Sequence, residues 1–204
     1  MQKSIWRGAI QTQNDQFEAK RQVVLRTAAR IFSRQGFHQT TLADVAKALN
    51  VSKPTLYHYF KSKDEILLDV QQAAIDQILD APIDTGASGY DQLVAFLRRY
   101  VEMIVDDFGT CLITTGVLPL EAENQKLVRK GSKRIEMLLR EMLKQGIADG
   151  SVVRCGPRIT AKFMFGALNW IPNWYRSEGE LDVEALAARA IEFLTRGLRA
   201  PSGS

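Results

Sequence analysis

Cysteine and histidine are scarce in the 204 residues, with only Cys111, Cys155, His38 and His58. Neither cysteine sits in a Cys-x-x-Cys or Cys/His metal spacing, so a disulfide framework and a zinc site are both excluded. Long apolar runs are missing as well. The most apolar stretch, 163–168, is bounded by Lys162 and Asn169, far short of the ~18 residues that a membrane span needs. No apolar segment separates Lys3 and Arg7 from Asp15, so no secretory signal is read and a reducing cytoplasm is expected. A Ser/His/Asp set and a glycine-rich phosphate loop are absent. An enzyme and a bound cofactor are therefore not expected. Period-2 alternation is lacking too, which argues against strands. At 46% hydrophobic residues, the chain is too apolar to be disordered over most of its length.

Charge is present and unevenly placed. Residues 1–65 carry eleven Lys and Arg against five Asp and Glu, a net of +6, while the remainder holds sixteen bases and eighteen acids. A basic head on a slightly acidic body predicts that the head alone meets a polyanion. A solvated helix face would carry the same charge.

The i, i+3, i+4 period recurs almost everywhere and predicts an all-α fold. The first helix spans 15–35 on the stripe Val24, Ala28, Ile31 and Phe32, with Gly36 as a left-handed cap. Thr40 or Thr41 caps the second helix, and Asp44 completes a capping-box-like start. Asn50 fits a left-handed turn. Ser52 caps a short helix over 53–60 with Pro54 in its first turn. Ser62 caps a longer one over 63–80. Residues 81–89 read as a linker. Further helices are predicted over 90–108, 121–146, 157–175 and 181–198, with a short one near 111–115.

Three short helices, two of them joined by a tight turn, describe a helix-turn-helix. A helix in the DNA major groove must be held at a fixed angle by a small apolar core. Phe32, Phe37, Leu42, Val45, Ala46, Leu49, Val51, Leu56 and Phe60 supply the expected one. Leu56 and Phe60 share the inward face of the reading helix. Lys53, Thr55, Tyr57 and Tyr59 fall outside it. Lys53 has the reach for a guanine edge, Thr55 or Pro54 suits a thymine methyl, and the hydroxyls suit phosphate oxygens. Lys63 opens the next helix, where its ammonium and the backbone N–H groups suit a phosphate. Thr41 and Ser52 read equally well as caps alone, and His58 reads as a surface or packing residue.

Thr40-Thr41-Leu42-Ala43-Asp44-Val45-Ala46, then Val51 to Phe60 with its Tyr57-His58-Tyr59-Phe60 core, then Lys61-Ser62-Lys63-Asp64-Glu65 closely resemble the DNA-binding domain of TetR-family bacterial repressors. The resemblance runs without a gap over 22–70. It implies a homodimer whose head binds double-stranded operator DNA and whose C-terminal body binds a small molecule and releases the DNA. By position, it places the DNA contacts on Thr41, Ala43, Ser52, Lys53, Pro54, Thr55, Tyr57, Tyr59 and Lys63. Ala43 stands where other members carry a long polar side chain. The implied organisation is a flexible arm over 1–14, a DNA-binding domain over 15–62, an effector-binding and dimerisation domain over 63–200 that begins with a connecting helix over 63–80, and a disordered tail over 201–204.

The body is read mainly from periodicity. Segment 157–175 is apolar along two stripes, one of Ile159, Phe163, Gly166, Ala167, Trp170 and Trp174, the other of Met164, Leu168, Ile171 and Tyr175. A helix apolar on two faces is covered twice. The last two helices packed on their symmetry mates would form a four-helix interface; one large monomeric core is the alternative. Phe96, Tyr100, Met103 and Ile104, facing Phe163, Asn169, Trp170 and Trp174, are the expected effector pocket, with Pro172 kinking the helix beside it. The run Gly166-Ala167-Leu168-Asn169-Trp170 is similar to that of TetR-type regulators that sense acyl-CoA thioesters, which implies an amphipathic effector. Arg98, Arg99 and Arg176 are the candidate cations for its head group. A different effector, or none, is equally compatible with the DNA-binding reading.

Overall fold

The computed structural model describes residues 13–199, a bundle of helices most of which start at a side-chain cap or an early proline. Of the expected terminal segments, residues 1–12 and the tail 201–204 lie outside the described residues, and residues 13 and 14 open the first helix. In chain order the elements are α1 (Gln13–Gln35), α2 (Leu42–Ala48), α3 (Lys53–Tyr57), α4 (Lys63–Leu79), α5 (Gly89–Val105), α6 (Asp107–Thr115), α7 (Ala122–Asp149), α8 (Pro157–Leu168), α9 (Ile171–Trp174) and α10 (Val183–Thr195). No strand occurs among the described residues, only an isolated bridge between Val152 and Arg199. No described helix is long and apolar enough to cross a membrane.

The predicted caps form. Gly36 takes φ +87° and Asn50 φ +54°. Thr41, Ser52 and Ser62 each accept a backbone N–H of the first turn of the following helix. Around the resulting turns, Val24, Leu25, Ala28, Phe32, Phe37, Val45, Ala46, Leu56 and Phe60 close a core shared by α1, α2 and α3. Val51, expected in that core, is exposed, and Leu42 and Leu49 are half-buried at its edge.

The body is built around α5, which packs on α6, α7 and α10, while α4 runs from the head between α6 and α7. Two predicted helices are broken, each for a chemical reason. The 90–108 helix stops at Asp106, which turns extended (ψ 159°) and whose carboxylate accepts the Phe108 N–H to start α6. Gly109 allows the sharp return: a Cβ there would lie 1.9 Å from the Met103 carbonyl oxygen. The 157–175 helix stops after Leu168 and resumes as α9, with Pro172 in the first turn, because proline has no N–H for the next helical bond.

Candidate functional site

The first turns of α2 and α3 form the exposed end of the head. Thr41 and Asp44 make a reciprocal capping box: the Thr41 N–H donates to Asp44 Oδ2 at 2.8 Å, and the Asp44 N–H donates to Thr41 Oγ1 at 3.2 Å. The Thr41 hydroxyl donates to the same carboxylate at 2.7 Å. These bonds hold the Asp44 carboxyl below its usual pKa range. Ser52 Oγ accepts the Thr55 N–H at 3.3 Å and lies 2.7 Å from Thr55 Oγ1. Ala43, Ser52, Lys53, Pro54, Thr55 and Tyr57 are all exposed, and Lys53 Nζ sits 5.9 Å from the Tyr57 ring centroid.

Two of the residues singled out in the sequence behave differently. Lys63, expected to hold a phosphate, turns inward. Its ammonium donates to the carbonyls of Phe37 (2.6 Å) and Thr40 (2.8 Å) and lies over the Phe37 ring. Partial burial lowers its pKa from the ordinary lysine value. Lys63 thus straps the start of α4 to the turn between α1 and α2, with two of its three ammonium protons engaged. Tyr59 is half-buried and stacks on Phe17 of α1 at 4.9 Å. Phe17 also meets His58 edge-on, so it clamps the C-terminal end of the reading helix. The sequence reading missed Phe17 although it stands seven residues before Val24 and so continues the apolar stripe of α1 toward its N-terminus.

Not all of the head's positive charge faces outward. Arg26 pairs with Asp106 at 2.7 Å and covers the Phe108 ring. Arg30 pairs with Asp107 at 2.9 Å, and Arg21 pairs with Asp69. Those partners raise the pKa of Arg26 and Arg30, chiefly through the side-chain hydrogen bonds. Three cations counted toward the basic head therefore tie it to α4 and α6.

In the body, the Tyr100 hydroxyl donates to Asn169 Oδ1 at 2.7 Å. Tyr100 is buried, which pushes its pKa well above the ordinary tyrosine value and keeps it a proton donor. The Phe165 ring meets Tyr100 edge-on at 5.0 Å. Together with Leu112 and Ile113 of α6, Ile135 of α7 and Asn173 of α9, they line a chamber of about 510 Å³.

Only two of the eight expected effector residues, Tyr100 and Asn169, reach this chamber. Phe96, Met103 and Ile104 are packed in the core. Phe163, Trp170 and Trp174 point outward, at 76%, 65% and 50% exposure. The stripe of Met164, Leu168 and Ile171 is the one that turns inward. The expected head-group cations are also elsewhere. Arg99 donates to the Pro82 carbonyl, Arg98 lies beside α10, and Arg176 borders a cleft between α1 and α6. Phe165 was passed over although it stands four residues before Asn169, one helical turn away.

Comparison with known proteins agrees with this architecture. Residues 24–70 match the family model of bacterial regulatory proteins, tetR family, and residues 86–198 match that of the tetracyclin repressor-like C-terminal domain. Among curated relatives, the fatty acid metabolism regulator protein of Bacillus subtilis is 22% identical over 183 residues, covering 86% of this chain and 93% of its own. Among solved structures, the TetR-family regulator PfmR from Thermus thermophilus superposes with a TM-score of 0.76 at 26% identity, over 85% of this chain and 97% of its own. AibR, in complex with isovaleryl coenzyme A and operator DNA, superposes with a TM-score of 0.73 at 21% identity over the same shares. With the C-terminal match alone spanning more than half of its length, the chain belongs to the TetR family of bacterial regulatory proteins and is a DNA-binding transcriptional regulator.

Proposed function

We propose that this regulator is a homodimeric repressor that leaves its operator when an acyl-CoA thioester fills the chamber between α5, α6, α7 and α8. It works in the cytoplasm on double-stranded, pseudo-palindromic DNA. Residues 15–62 form the DNA-binding unit, and residues 63–200 form the effector and dimerisation unit, with the helix over 63–80 joining them. Lys53, Pro54, Thr55 and Tyr57 read the groove, with Ala43 and Ser52 beside them. Thr41, Tyr59 and Lys63 hold the reading helix at its angle.

The observation that carries the effector reading is the Tyr100–Asn169 hydrogen bond in the wall of the chamber. Tyr100 is buried and Asn169 half-buried, and this oriented donor–acceptor pair beside Leu112, Ile113, Ile135 and Phe165 suits a ligand with one polar function on an apolar chain. An acyl thioester has that form. The similarity to the Bacillus fatty acid metabolism regulator and to AibR, with its isovaleryl coenzyme A, points the same way. Release follows from α6, which lines the chamber with Leu112 and Ile113 and holds the head through Asp106 and Asp107. A ligand that displaces α6 favours one head position over another, and only that difference in affinity releases DNA.

Dimerisation is assigned to the outward apolar side chains of α8, α9 and α10. Phe163 precedes the break at Asn169 and Trp170 follows it, both exposed, and Phe193 of α10 is 81% exposed. Large rings left in water at this level mark a contact surface. Ala187 is fully buried and Ala190 half-buried, so the contact on α10 centres on Phe193 rather than on those alanines.

The test begins with selection of bound sequences from random DNA. Fluorescence anisotropy on the selected operator then follows release by a series of acyl-CoA thioesters. Release by thioesters of one chain-length range, and its loss in Asn169→Leu with operator affinity intact, is the expected result. Operator binding that ignores every thioester overturns the effector assignment.

A further inference from the structure

Beside the chamber, α7 and α8 carry a second concavity that the effector reading does not use. It has a volume of about 750 Å³ and shares Val117, Ser132 and Glu136 with the chamber wall. Its lining holds five cations, Arg129, Lys133 and Arg140 of α7 and Arg158 and Lys162 of α8, against a single carboxylate, Glu136. On α7 the cations recur at intervals of four and seven residues, and on α8 at four, so each helix turns one charged face to the groove.

Stability alone does not account for this arrangement. Like charges one turn apart repel, and elsewhere α7 sets glutamates beside its lysines, as in Glu123–Lys126 (2.6 Å) and Glu141–Lys144 (2.7 Å). Within the groove the ion pairing is one long contact, Lys162 to Glu136 at 3.7 Å. Lys133 and Arg158 are exposed and make no ion pair among the described residues. Arg140 Nε is buried with no hydrogen-bond acceptor among the described residues. A buried donor left without an acceptor is rare in folded proteins and calls for a partner.

We propose that this groove is the polyanion subsite of the effector site and seats a nucleoside diphosphate, the phosphate-bearing end of the thioester whose acyl end enters the chamber. The proposal rests on the acyl-CoA reading for that second end only. From Arg129 to Arg140 the row is about 16 Å long at the helical rise of 1.5 Å per residue. That length suits an extended chain of phosphates better than one small anion. Arginine forks bind phosphate oxygens bidentately, and lysines neutralise them as point charges. The shared wall at Val117, Ser132 and Glu136 lets one ligand occupy both compartments.

The test uses calorimetry on the full-length protein with three probes: decanoyl-CoA, S-decanoyl-pantetheine, which keeps the acyl thioester without the nucleotide, and ADP. The variant is Lys133→Ala/Arg158→Ala, two exposed residues outside the chamber and the head. The expected result is that the variant binds decanoyl-CoA roughly ten- to a hundredfold more weakly, binds S-decanoyl-pantetheine as the wild type does, and shows a shallower salt dependence of decanoyl-CoA binding. Equal decanoyl-CoA affinity in variant and wild type overturns the proposal. If neither thioester binds but ADP binds the wild type and not the variant, the acyl-CoA reading falls and the polyanion subsite stands. If ADP and both thioesters fail to bind the wild type, both fall.

Discussion

The head and the body place their polar side chains in opposite ways. In the head, Thr41, Ser52 and Ser62 sit at the surface and accept first-turn N–H groups of the helices that follow them. Their work is local, three residues at a time. In the body, Tyr100 and Asn169 meet in the interior from helices 69 residues apart in the chain. The head thus has a rigid, preset surface, as reading base edges requires. The body has an interior held by a few long-range bonds and a chamber among them, as a ligand-responsive unit requires. Between them stand exposed ion pairs of modest strength, Arg26–Asp106 and Arg30–Asp107, suited to a joint that must shift.

The largest effect is expected where the body acts on the head only through a second copy. Phe163→Asp/Phe193→Asp puts charge on two outward rings without opening the core. Light scattering should show monomers, and operator affinity should fall by about 10²–10⁴-fold, because the second half-site is no longer tethered. A dimer that survives both changes places the contact elsewhere.

Lys63 tests whether a head residue works by holding or by touching DNA. Lys63→Met removes both bonds to the Phe37 and Thr40 carbonyls and should cost about 1–2 kcal/mol in urea unfolding. If stability is unchanged while the salt slope of DNA binding drops by about one, Lys63 is a phosphate contact after all.

Tyr100 carries the matching test for the body. Tyr100→Phe leaves Asn169 Oδ1 without its donor and should destabilise by about 1–2 kcal/mol. The pH dependence has a definite sign. The folded-state pKa of Tyr100 is raised above the ordinary value of 10.0 by burial. Its contribution is therefore complete below pH 10 and is lost as pH rises beyond it, when the unfolded chain ionises first. Stability measured across alkaline pH should fall less steeply in Tyr100→Phe than in the wild type. Parallel curves would mean that the hydroxyl is open to water.

The smallest stability change is expected at the joint. Arg30→Gln removes an exposed pair and should shift unfolding by less than about 1 kcal/mol. Its effect belongs in coupling: the ligand concentration that releases the operator should fall, since one tie between α6 and the head is gone. An unchanged release curve would mean that the Arg30–Asp107 pair carries no coupling, leaving it to Arg26–Asp106 and to α4.

The capping chemistry of the head could be read along the chain because each cap is complete within four residues. Thr41 with Asp44, Ser52 with Thr55, Ser62 with Glu65, and the left-handed Gly36 and Asn50 all lie where the local pattern put them. The contiguous motif over 22–70 pointed to the family for the same reason. Most of the effector residues did not follow. Periodicity marked both stripes of the segment 157–175 as apolar, yet it carries no sign of which one a neighbouring helix covers.

Helix type, helix starts, the basic head and the family thus follow from side chains acting on their own backbone or on residues one turn away. Which stripe of α8 turns inward, which arginines face solvent and which meet Asp106, Asp107 and Asp69, and where the chamber opens were settled by packing between elements distant in sequence. The physical reason is range. A cap or a turn is fixed by bonds within a few residues. The half-burial of Phe165 and the exposure of Phe163, two residues earlier on the same helix, depend on what α5, α6 and α7 bring alongside.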